Sequence, residues 1–187
     1  MADRQSDDAP IDEHGSRSGG SWVWGPLSAY GLTIACATFV LDQANKWWMI
    51  NVYDIGARGR VEVMAFFDLV YVLNRGVSYS MFTMTTQEGQ YLLSGFALIV
   101  AVVLTVMLAR GVETRTGAAG VGLIIGGALG NAVDRLHLGG VADFYVLHAF
   151  GASWYVFNIA DVAIVAGVVA LLLDTFWLSR SARGGSR

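Results

Sequence analysis

Apolar residues dominate four stretches of this chain, and most charged residues lie between or outside them. Each stretch is about 18 to 21 residues long, and a helix of roughly 20 residues crosses the hydrocarbon core of a bilayer. The pattern therefore predicts four transmembrane helices, over residues 22–41, 89–109, 116–133 and 154–173.

The composition is that of a membrane protein. Hydrophobic residues make up 55% of the chain and charged residues 14%, whereas charged residues make up about 25% of an average soluble domain. The first apolar stretch follows an acidic flank, and no small-residue cleavage pattern closes it, so we interpret it as a retained span. The predicted fold class is an all-α membrane protein, built as a four-transmembrane-helix bundle.

Arginine residues predict the orientation of this bundle. The short loop after the second helix holds Arg110 and Arg115, and Arg180, Arg183 and Arg187 follow the fourth helix. Because Lys and Arg concentrate on the cytoplasmic side of membrane proteins, we expect both termini to be cytoplasmic. The chain then divides into a disordered cytoplasmic leader, a membrane domain and a cytoplasmic tail, over residues 1–21, 22–180 and 181–187.

The segment 45–88 is expected to lie at the outer surface and to form strands. Residues 60–64 and 69–73 are short strand-like runs, and a turn at Asn74-Arg75-Gly76 leads into a third run over residues 77–82. We expect a small extracytoplasmic β-hairpin, or cradle, that is half embedded among the lipid headgroups.

The third predicted helix carries glycine at every fourth position, at Gly122, Gly126 and Gly130. Residues four apart share one face of a helix, and small residues let two helix backbones approach closely within a membrane. We therefore expect this glycine face to pack on another helix.

Acidic and amide side chains cluster near the outer ends of the third and fourth helices. Asn131 and Asp134 are three residues apart, as are Asn158 and Asp161, so each pair shares one helix face. Asp143 lies in the connection between the two helices. A carboxylate beside hydrocarbon costs several kcal/mol unless it is paired or works in a wet site, so the cluster indicates a functional site.

Two neighbouring carboxylates can share one proton, so that one acts as a general base on water and the other as an acid. This arrangement indicates aspartic-protease chemistry, and the spacing leaves open whether Asp134 or Asp143 pairs with Asp161. Three alternatives remain. The first is a metal site of His137, His148 and Asp143, but these residues fit no recognised zinc spacing. The second is a small proton-coupled transporter, which would hold its acids near the midplane of the membrane. The third is a membrane scaffold without catalytic activity, which leaves the acids unexplained.

Five sequence blocks resemble those of the bacterial lipoprotein signal peptidases, which are also called type II signal peptidases. The resemblance covers residues 24–178 approximately, and the blocks occur in the family's order. They are Leu41-Asp42-Gln43-x-x-Lys46, Asn74-x-Gly76, Gly130-Asn131-x-x-Asp134-Arg135, Val141-x-Asp143-Phe144 and Phe157-Asn158-x-Ala160-Asp161.

The resemblance implies an intramembrane aspartic endopeptidase that removes the signal peptide from diacylglyceryl-modified prolipoproteins, cutting before the lipidated cysteine. It implies that Asp143 and Asp161 are the catalytic pair, that no cofactor or metal is required, and that globomycin-like cyclic peptides inhibit the enzyme. The residues implied to bind substrate or to support the site are Asp42, Lys46, Asn74, Gly76, Asn131, Asp134, Arg135, Asn158 and Ala160.

The same resemblance implies where the protein works and with what. The expected location is the bacterial cytoplasmic (inner) membrane, with the active site towards the outer leaflet. The expected partners are prolipoprotein substrates and membrane lipids, with no nucleic acid, and the expected oligomeric state is a monomer.

Overall fold

A computed structural model describes residues 24–76, 86–149, 152–153 and 155–184. In this part of the chain, three helical segments are long and apolar enough to cross a membrane, as expected for a multi-pass membrane protein. The helices are α1 (Ser28–Asn51), α2 (Ile55–Arg58), α3 (Gln87–Gly111), α4 (Arg115–Leu138) and α5 (Ile159–Gly184), and the strands are β1 (Val61–Met64), β2 (Phe67–Asn74), β3 (Val141–Ala149) and β4 (Ala152–Ser153).

Helix α4 is the centre of the bundle, and α1, α3 and α5 all pack against it. Gly122 and Gly126 face the backbone carbonyls of Gly31 and Ala35 on α1, where a side chain would not fit. The prediction that this glycine face packs on another helix is confirmed. A second pair of small residues on α4, Gly120 and Gly127, approaches α5 in the same way.

Helix α1 differs from its predicted boundaries, because it begins at Ser28 and continues past Leu41 to Asn51. Its polar residues Asp42 and Lys46 are buried within the bundle, whereas Trp47 is 61% exposed. The three segments that meet the length and hydropathy requirement for a span are α3, α4 and residues Ile159–Phe176 of α5. The polar second half of α1 keeps this helix out of that group.

The outer surface of the helices is apolar, as it is in proteins surrounded by lipid. On α3, Leu92, Phe96 and Ile99 are each more than half exposed, although monomeric soluble proteins rarely expose large contiguous apolar patches. On α1 the exposed residues include Val40 and Leu41. This inverted distribution, with apolar residues outside and charged residues inside, indicates that the bundle is surrounded by hydrocarbon.

The strands form an antiparallel sheet in the order β1-β2-β3-β4. The hairpin of β1 and β2 confirms the strand-like runs at 60–64 and 69–73, whereas the predicted strand at 77–82 lies outside the described residues. Strand β3 was not predicted, since its residues were interpreted only as part of the connection between the third and fourth predicted helices. The expected helical bundle with a small hairpin is therefore found as a mostly helical protein whose small sheet also includes β3 and β4.

The sheet is attached to the ends of the helices by a small core. Met49 at the end of α1 packs with Ile55, Ala142 and Phe144. Gly139, in the left-handed conformation, ends α4 and leads the chain into β3. The sheet, the C-terminal ends of α1 and α4, and the N-terminal end of α5 therefore lie at one end of the bundle.

The opposite end holds both ends of the described chain. Gly25, just before α1, donates its N–H to the carbonyl of Ala109 near the end of α3. Asp174 of α5 lies beside Gly117 at the start of α4. The loop between α3 and α4 and the two ends of the described chain therefore share one end of the bundle.

Candidate active site

Strand β3 and helix α5 bring Asp143 and Asp161 together. Tyr145 on β3 and Phe157, just before α5, exchange backbone hydrogen bonds of 2.9 and 3.0 Å. This pairing places the start of α5 alongside β3, so that Asn158 lies next to Asp143. The sequence had placed Asp143 in a connection, and the sheet now fixes its position.

Asn158 precedes α5 and forms a reciprocal cap with Asp161. The N–H of Asp161 donates to Asn158 Oδ1 at 2.9 Å, and the N–H of Asn158 donates to Asp161 Oδ2 at 3.2 Å. This arrangement satisfies two backbone donors that the first turn of a helix leaves unpaired. It also holds the Asp161 carboxylate in a fixed orientation.

Asp143 is 1% exposed and accepts two hydrogen bonds from side-chain amides. Asn158 Nδ2 donates to its Oδ1 at 2.6 Å, and Asn74 Nδ2 donates to its Oδ2 at 3.2 Å. Burial, followed by the charge of Asp161, raises the pKa of Asp143 to about 7. The two amides favour the ionised form but only partly offset these effects.

Asn131 connects the acidic pair to a second polar cluster on its other side. Its Nδ2 donates to Asp161 Oδ1 at 2.9 Å, and its Oδ1 accepts from Lys46 Nζ and from Asn158 Nδ2, each at 3.2 Å. The Lys46 ammonium also forms ion pairs of 2.8 Å with Asp42 and 2.7 Å with Asp134. Asn131 is thus the link between this ion-paired cluster and the pair Asp143 and Asp161.

The four acids of this region differ in whether a cation contacts them. Asp42 and Asp134 both pair with Lys46, and they also accept backbone N–H bonds of 2.9 and 3.1 Å from Ala160 and Ala142. Within the described residues, neither of the other two acids forms an ion pair. The structure therefore separates two carboxylates that are paired with Lys46 from two that accept hydrogen bonds only from amide groups, a distinction that the spacing had left open.

A cavity of about 320 Å³ opens beside the acidic pair, between α3, α4 and α5. Asp161 lines it, whereas Asp143 lies just beneath, covered by Asn74 and Asn158. The rest of the wall is mostly apolar. The lining residues are Asn74, Gly76, Phe96, Ala97, Val100, Ile124, Ala128, Asn131, Arg135, Val141, Tyr155, Asp161, Ile164 and Val165.

The sequence-predicted site residues fall into two groups around this cavity. The first group, Asn74, Gly76, Asn131 and Arg135, lines the cavity. The Nε atom of Arg135 is buried and has no hydrogen-bond partner within the described residues. Asp143 and Asn158 lie beneath the wall and do not line the cavity. The residues that lie behind Asn131 and do not line the cavity are Asp42, Lys46, Asp134 and Ala160.

The histidines of the alternative metal site are far from one another in the fold. His148 lies 3.2 Å from Asp68 on the sheet. His137 lines a separate cavity of about 280 Å³ between α1 and α4. Among the described residues, no three His, Cys, Asp or Glu side chains are arranged to hold a metal ion.

Besides the apolar residues of the cavity wall, two polar residues of this region were missed as site residues. Gln43 Nε2 donates to Asp42, Asp134 and the carbonyl of Gly130, at 3.1 to 3.2 Å. Its position three residues before Lys46 was the available signal, because this spacing places both on one helix face. Tyr155 lines the cavity, and no spacing rule indicated it.

Comparisons with known proteins identify the family. The sequence profile of signal peptidase (SPase) II matches residues 34–177. A lipoprotein signal peptidase from Beijerinckia indica subsp. indica is 51% identical over 73% of this chain and 81% of its own length. The one from Nitrobacter hamburgensis is 47% identical over 82% of this chain and 95% of its own length.

Solved structures share the fold. A bacterial membrane enzyme determined in meso at 2.3 Å resolution superposes with a TM-score of 0.69 at 22% identity, covering 82% of this chain and 90% of that one. A second, at 1.9 Å resolution, superposes with a TM-score of 0.67 over 82% and 95% of the two chains. By the profile match and the close relatives, this chain belongs to the signal peptidase II family of aspartic membrane peptidases.

Proposed function

We propose that this protein removes the signal peptide from diacylglyceryl-modified prolipoproteins, cutting before the lipidated cysteine, with Asp143 and Asp161 as the catalytic pair. One observation carries the assignment of the pair: at the polar end of an apolar cavity, Asp161 lines the wall and Asp143 lies just beneath it, and no cation among the described residues forms an ion pair with either. Family membership supports the prolipoprotein substrate and does not favour the transporter alternative.

The chemistry follows from the different surroundings of the two acids. We assign the shared proton of the resting enzyme to Asp143, because it is buried and does not line the cavity, and burial and its neighbour raise its pKa to about 7. Asp161 faces the cavity and acts as the base. It takes a proton from water, whose oxygen attacks the scissile carbonyl carbon, while Asp143 gives its proton to the carbonyl oxygen.

The second half of the reaction returns both acids to their starting states. As the carbon–nitrogen bond breaks, Asp161 passes the proton it took from water to the leaving amine nitrogen. Asp143 recovers its proton from the hydroxyl of the collapsing diol. The peptide bond and one water are consumed, and no cofactor enters the balance.

The cavity suits a substrate that is itself embedded in the membrane. Its apolar walls from α3, α4 and α5 lie next to the acids, with Arg135 and Asn74 at the polar end. Each CH₂ group of an acyl chain adds roughly 0.8 kcal/mol to anchoring in the bilayer, so a lipidated precursor is held at the depth of these walls and is the expected substrate. Globomycin-like cyclic peptides would occupy the same place.

We further propose that α1 is the fourth transmembrane helix. It has 24 residues, which at 1.5 Å each give about 36 Å, and its exposed face includes Val40 and Leu41. In the proposed arrangement both termini are cytoplasmic, and the sheet and the site face the outer leaflet of the bacterial inner membrane. Residues 1–21 form a separate leader, and the enzyme works as a monomer.

Cleavage of a lipidated precursor by the purified full-length protein tests the function. The protein in detergent is incubated with a diacylglyceryl-modified prolipoprotein and with its unmodified precursor, and a gel shift is the readout. We expect cleavage of the modified form only. Equal cleavage of both forms would contradict the proposed substrate class.

Substitution of the acids tests the catalytic pair in the same assay. We expect Asp143→Asn and Asp161→Asn each to abolish cleavage, because each removes a proton-transfer group. Asp174→Asn is the matched control, since Asp174 is on α5 at the opposite end of the bundle. Full activity of either site variant would refute the assignment.

A further inference from the structure

Lys46 is buried, yet it does not line the cavity beside the acidic pair. It is 3% exposed and lies on α1, on the far side of Asn131 from Asp161. Its ammonium has three partners, the carboxylates of Asp42 and Asp134 and the amide oxygen of Asn131. Its connection to the acidic pair is therefore through Asn131.

The ammonium determines which way the amide of Asn131 points. An amide can present either its oxygen or its NH₂ group to a neighbour, whereas a lysine ammonium can only donate hydrogen bonds. Lys46 at 3.2 Å therefore requires the Asn131 oxygen on its own side. The NH₂ group is then left to donate to Asp161 Oδ1 at 2.9 Å.

The same orientation extends to the second acid. Because the Asn131 oxygen faces Asn158, the amide of Asn158 donates its NH₂ group to Asn131 and to Asp143. A reversed Asn131 amide would place two NH₂ groups against each other and remove a donor from Asp161. Lys46 thus fixes the donor direction at one end of a chain of amides that ends on both carboxylates.

We propose that Lys46 is a positioning residue for catalysis, which acts through Asn131 to hold both carboxylates as hydrogen-bond acceptors in the geometry of the reaction. This inference rests on the proposed function. It assigns Lys46 no contact with substrate, in contrast to a role in lining the substrate region.

The positive charge of Lys46 should also affect the ionisation of the acidic pair. The ammonium lowers the pKa of Asp143, against the larger effects of burial and of Asp161, so its loss should raise that pKa further. Besides the two acids themselves, the charged groups around the acidic pair lie on α1 and α4, and they are Asp42, Lys46, Asp134 and Arg135.

The test is a kinetic comparison of Lys46→Met with wild type, using the detergent-solubilised full-length protein and a lipidated prolipoprotein. Misplacement of reacting groups by about 1 Å can cost about 100-fold in rate, so we expect kcat to fall by about 10- to 100-fold. We expect KM to stay within about two-fold, since only the ordering of the acids is lost. The rate at pH 8 divided by the rate at pH 6 should be higher than in wild type, because a raised pKa keeps Asp143 protonated to a higher pH.

A double-mutant cycle tests whether Lys46 acts through Asn131. In an Asn131→Ala background, Lys46→Met should cause little further loss of kcat, because the connection is already absent. Lys46→Arg keeps a donor-only cation and should recover part of kcat together with the wild-type pH profile. Additive losses of kcat, or a raised KM with unchanged kcat, would overturn the proposal.

Matched variants separate positioning from stability. Gln43→Leu removes bonds to the same two acids without touching Asn131, so it should lower stability without moving the pH profile. If Lys46→Met does not fold, the measurement is made with Lys46→Met combined with Asp134→Asn, which removes one uncompensated carboxylate. A profile that does not move in the folded variant refutes the inference. Failure of wild type to cleave would refute the proposed function instead.

Discussion

Asn158 donates its side-chain amide to Asp143 at 2.6 Å, the shortest hydrogen bond from an amide to either acid of the pair. The same residue caps α5 through its bonds with Asp161. A single side chain therefore holds the end of a helix against the middle of a strand. The relative position of the two carboxylates depends on it.

The two roles of Asn158 can be separated by substitution. Asn158→Ser keeps an oxygen that can cap the helix, but it has no NH₂ group to reach Asp143, so we expect activity to fall by about 100-fold with little change in Tm. Asn158→Ala also loses the cap and should cost about 1 kcal/mol of stability in addition. Cleavage assays and thermal unfolding in detergent provide the two measurements. Normal cleavage by Asn158→Ser would show that the 2.6 Å bond is dispensable.

Asp134→Asn should reduce activity without abolishing it. The oxygen of the new amide can still accept from the N–H of Ala142, but one of the two ion pairs of Lys46 is lost. We expect kcat between those of wild type and of Asp143→Asn, because the acidic pair stays in place on a weaker support. Complete loss of cleavage by a folded Asp134→Asn protein would indicate that Asp134 takes part directly in the reaction.

The ionisation of Asp143 should be visible in the pH dependence of stability. Its pKa is raised to about 7 by burial and by Asp161, so between the unfolded value near 4 and pH 7 the folded state holds the extra proton. Stability from this group is full below that range and is lost as the pH rises through 7. Asp143→Asn cannot ionise, so its Tm relative to wild type should increase between pH 4 and pH 8.

The size of this pH effect can be bounded. A shift of about three pKa units corresponds to a difference on the order of a few kcal/mol in the free energy of unfolding. Any constant effect of the lost carboxylate oxygen cancels when the two pH values are compared. A Tm difference that stays constant between pH 4 and pH 8 would contradict the raised pKa.

Much of the bundle could be predicted from apolar length and small-residue spacing. Gly122 and Gly126 follow a strict period, and the structure shows them against α1 as expected. The end of α1 could not be predicted in this way, because Asp42 and Lys46 satisfy each other inside the bundle and the helix continues through them. Strand β3 was missed because both of its faces are largely buried, so its side chains show no alternation.

In the site, too, contacts between residues close in the chain could be predicted, whereas contacts between distant residues could not. The spacing of Asn158 and Asp161 correctly placed them within one turn, and the structure shows the cap that this spacing permits. The difference between Asp134 and Asp143 depends on Lys46, which lies 88 positions before Asp134 in the chain. No local pattern carries that information.

Close helix packing predicts a large cost for a side chain at Gly122. A Cβ there would press on the carbonyl of Gly31 and lie 3.1 Å from the Cβ of Ile34. We expect Gly122→Val to destabilise the protein by about 1 to 3 kcal/mol or more, measured by thermal unfolding in detergent. Gly95→Val on α3 is the matched control, since the space around Gly95 is open. Equal Tm values for the two variants would contradict the packing of α4 on α1.

The orientation of the bundle can be tested at two exposed glutamates. Glu113 lies in the loop between α3 and α4, and Glu62 lies on β1 at the opposite end of the bundle. Because Arg110 and Arg115 flank the first of these positions, we expect it to be cytoplasmic and the second to face outward. Each is replaced by cysteine in a Cys36→Ala background, which removes the one native thiol.

A membrane-impermeant thiol reagent applied to intact cells whose outer membrane has been opened should label Glu62→Cys and leave Glu113→Cys unlabelled. Disruption of the inner membrane should then expose Glu113→Cys, which controls for intrinsic reactivity at that site. The reverse pattern would invert the orientation and place the acidic pair at the cytoplasmic face. Labelling of both positions in intact cells would instead show that the segment from α3 to α4 does not follow the proposed path, because an odd number of spans must separate two positions on opposite sides of a membrane.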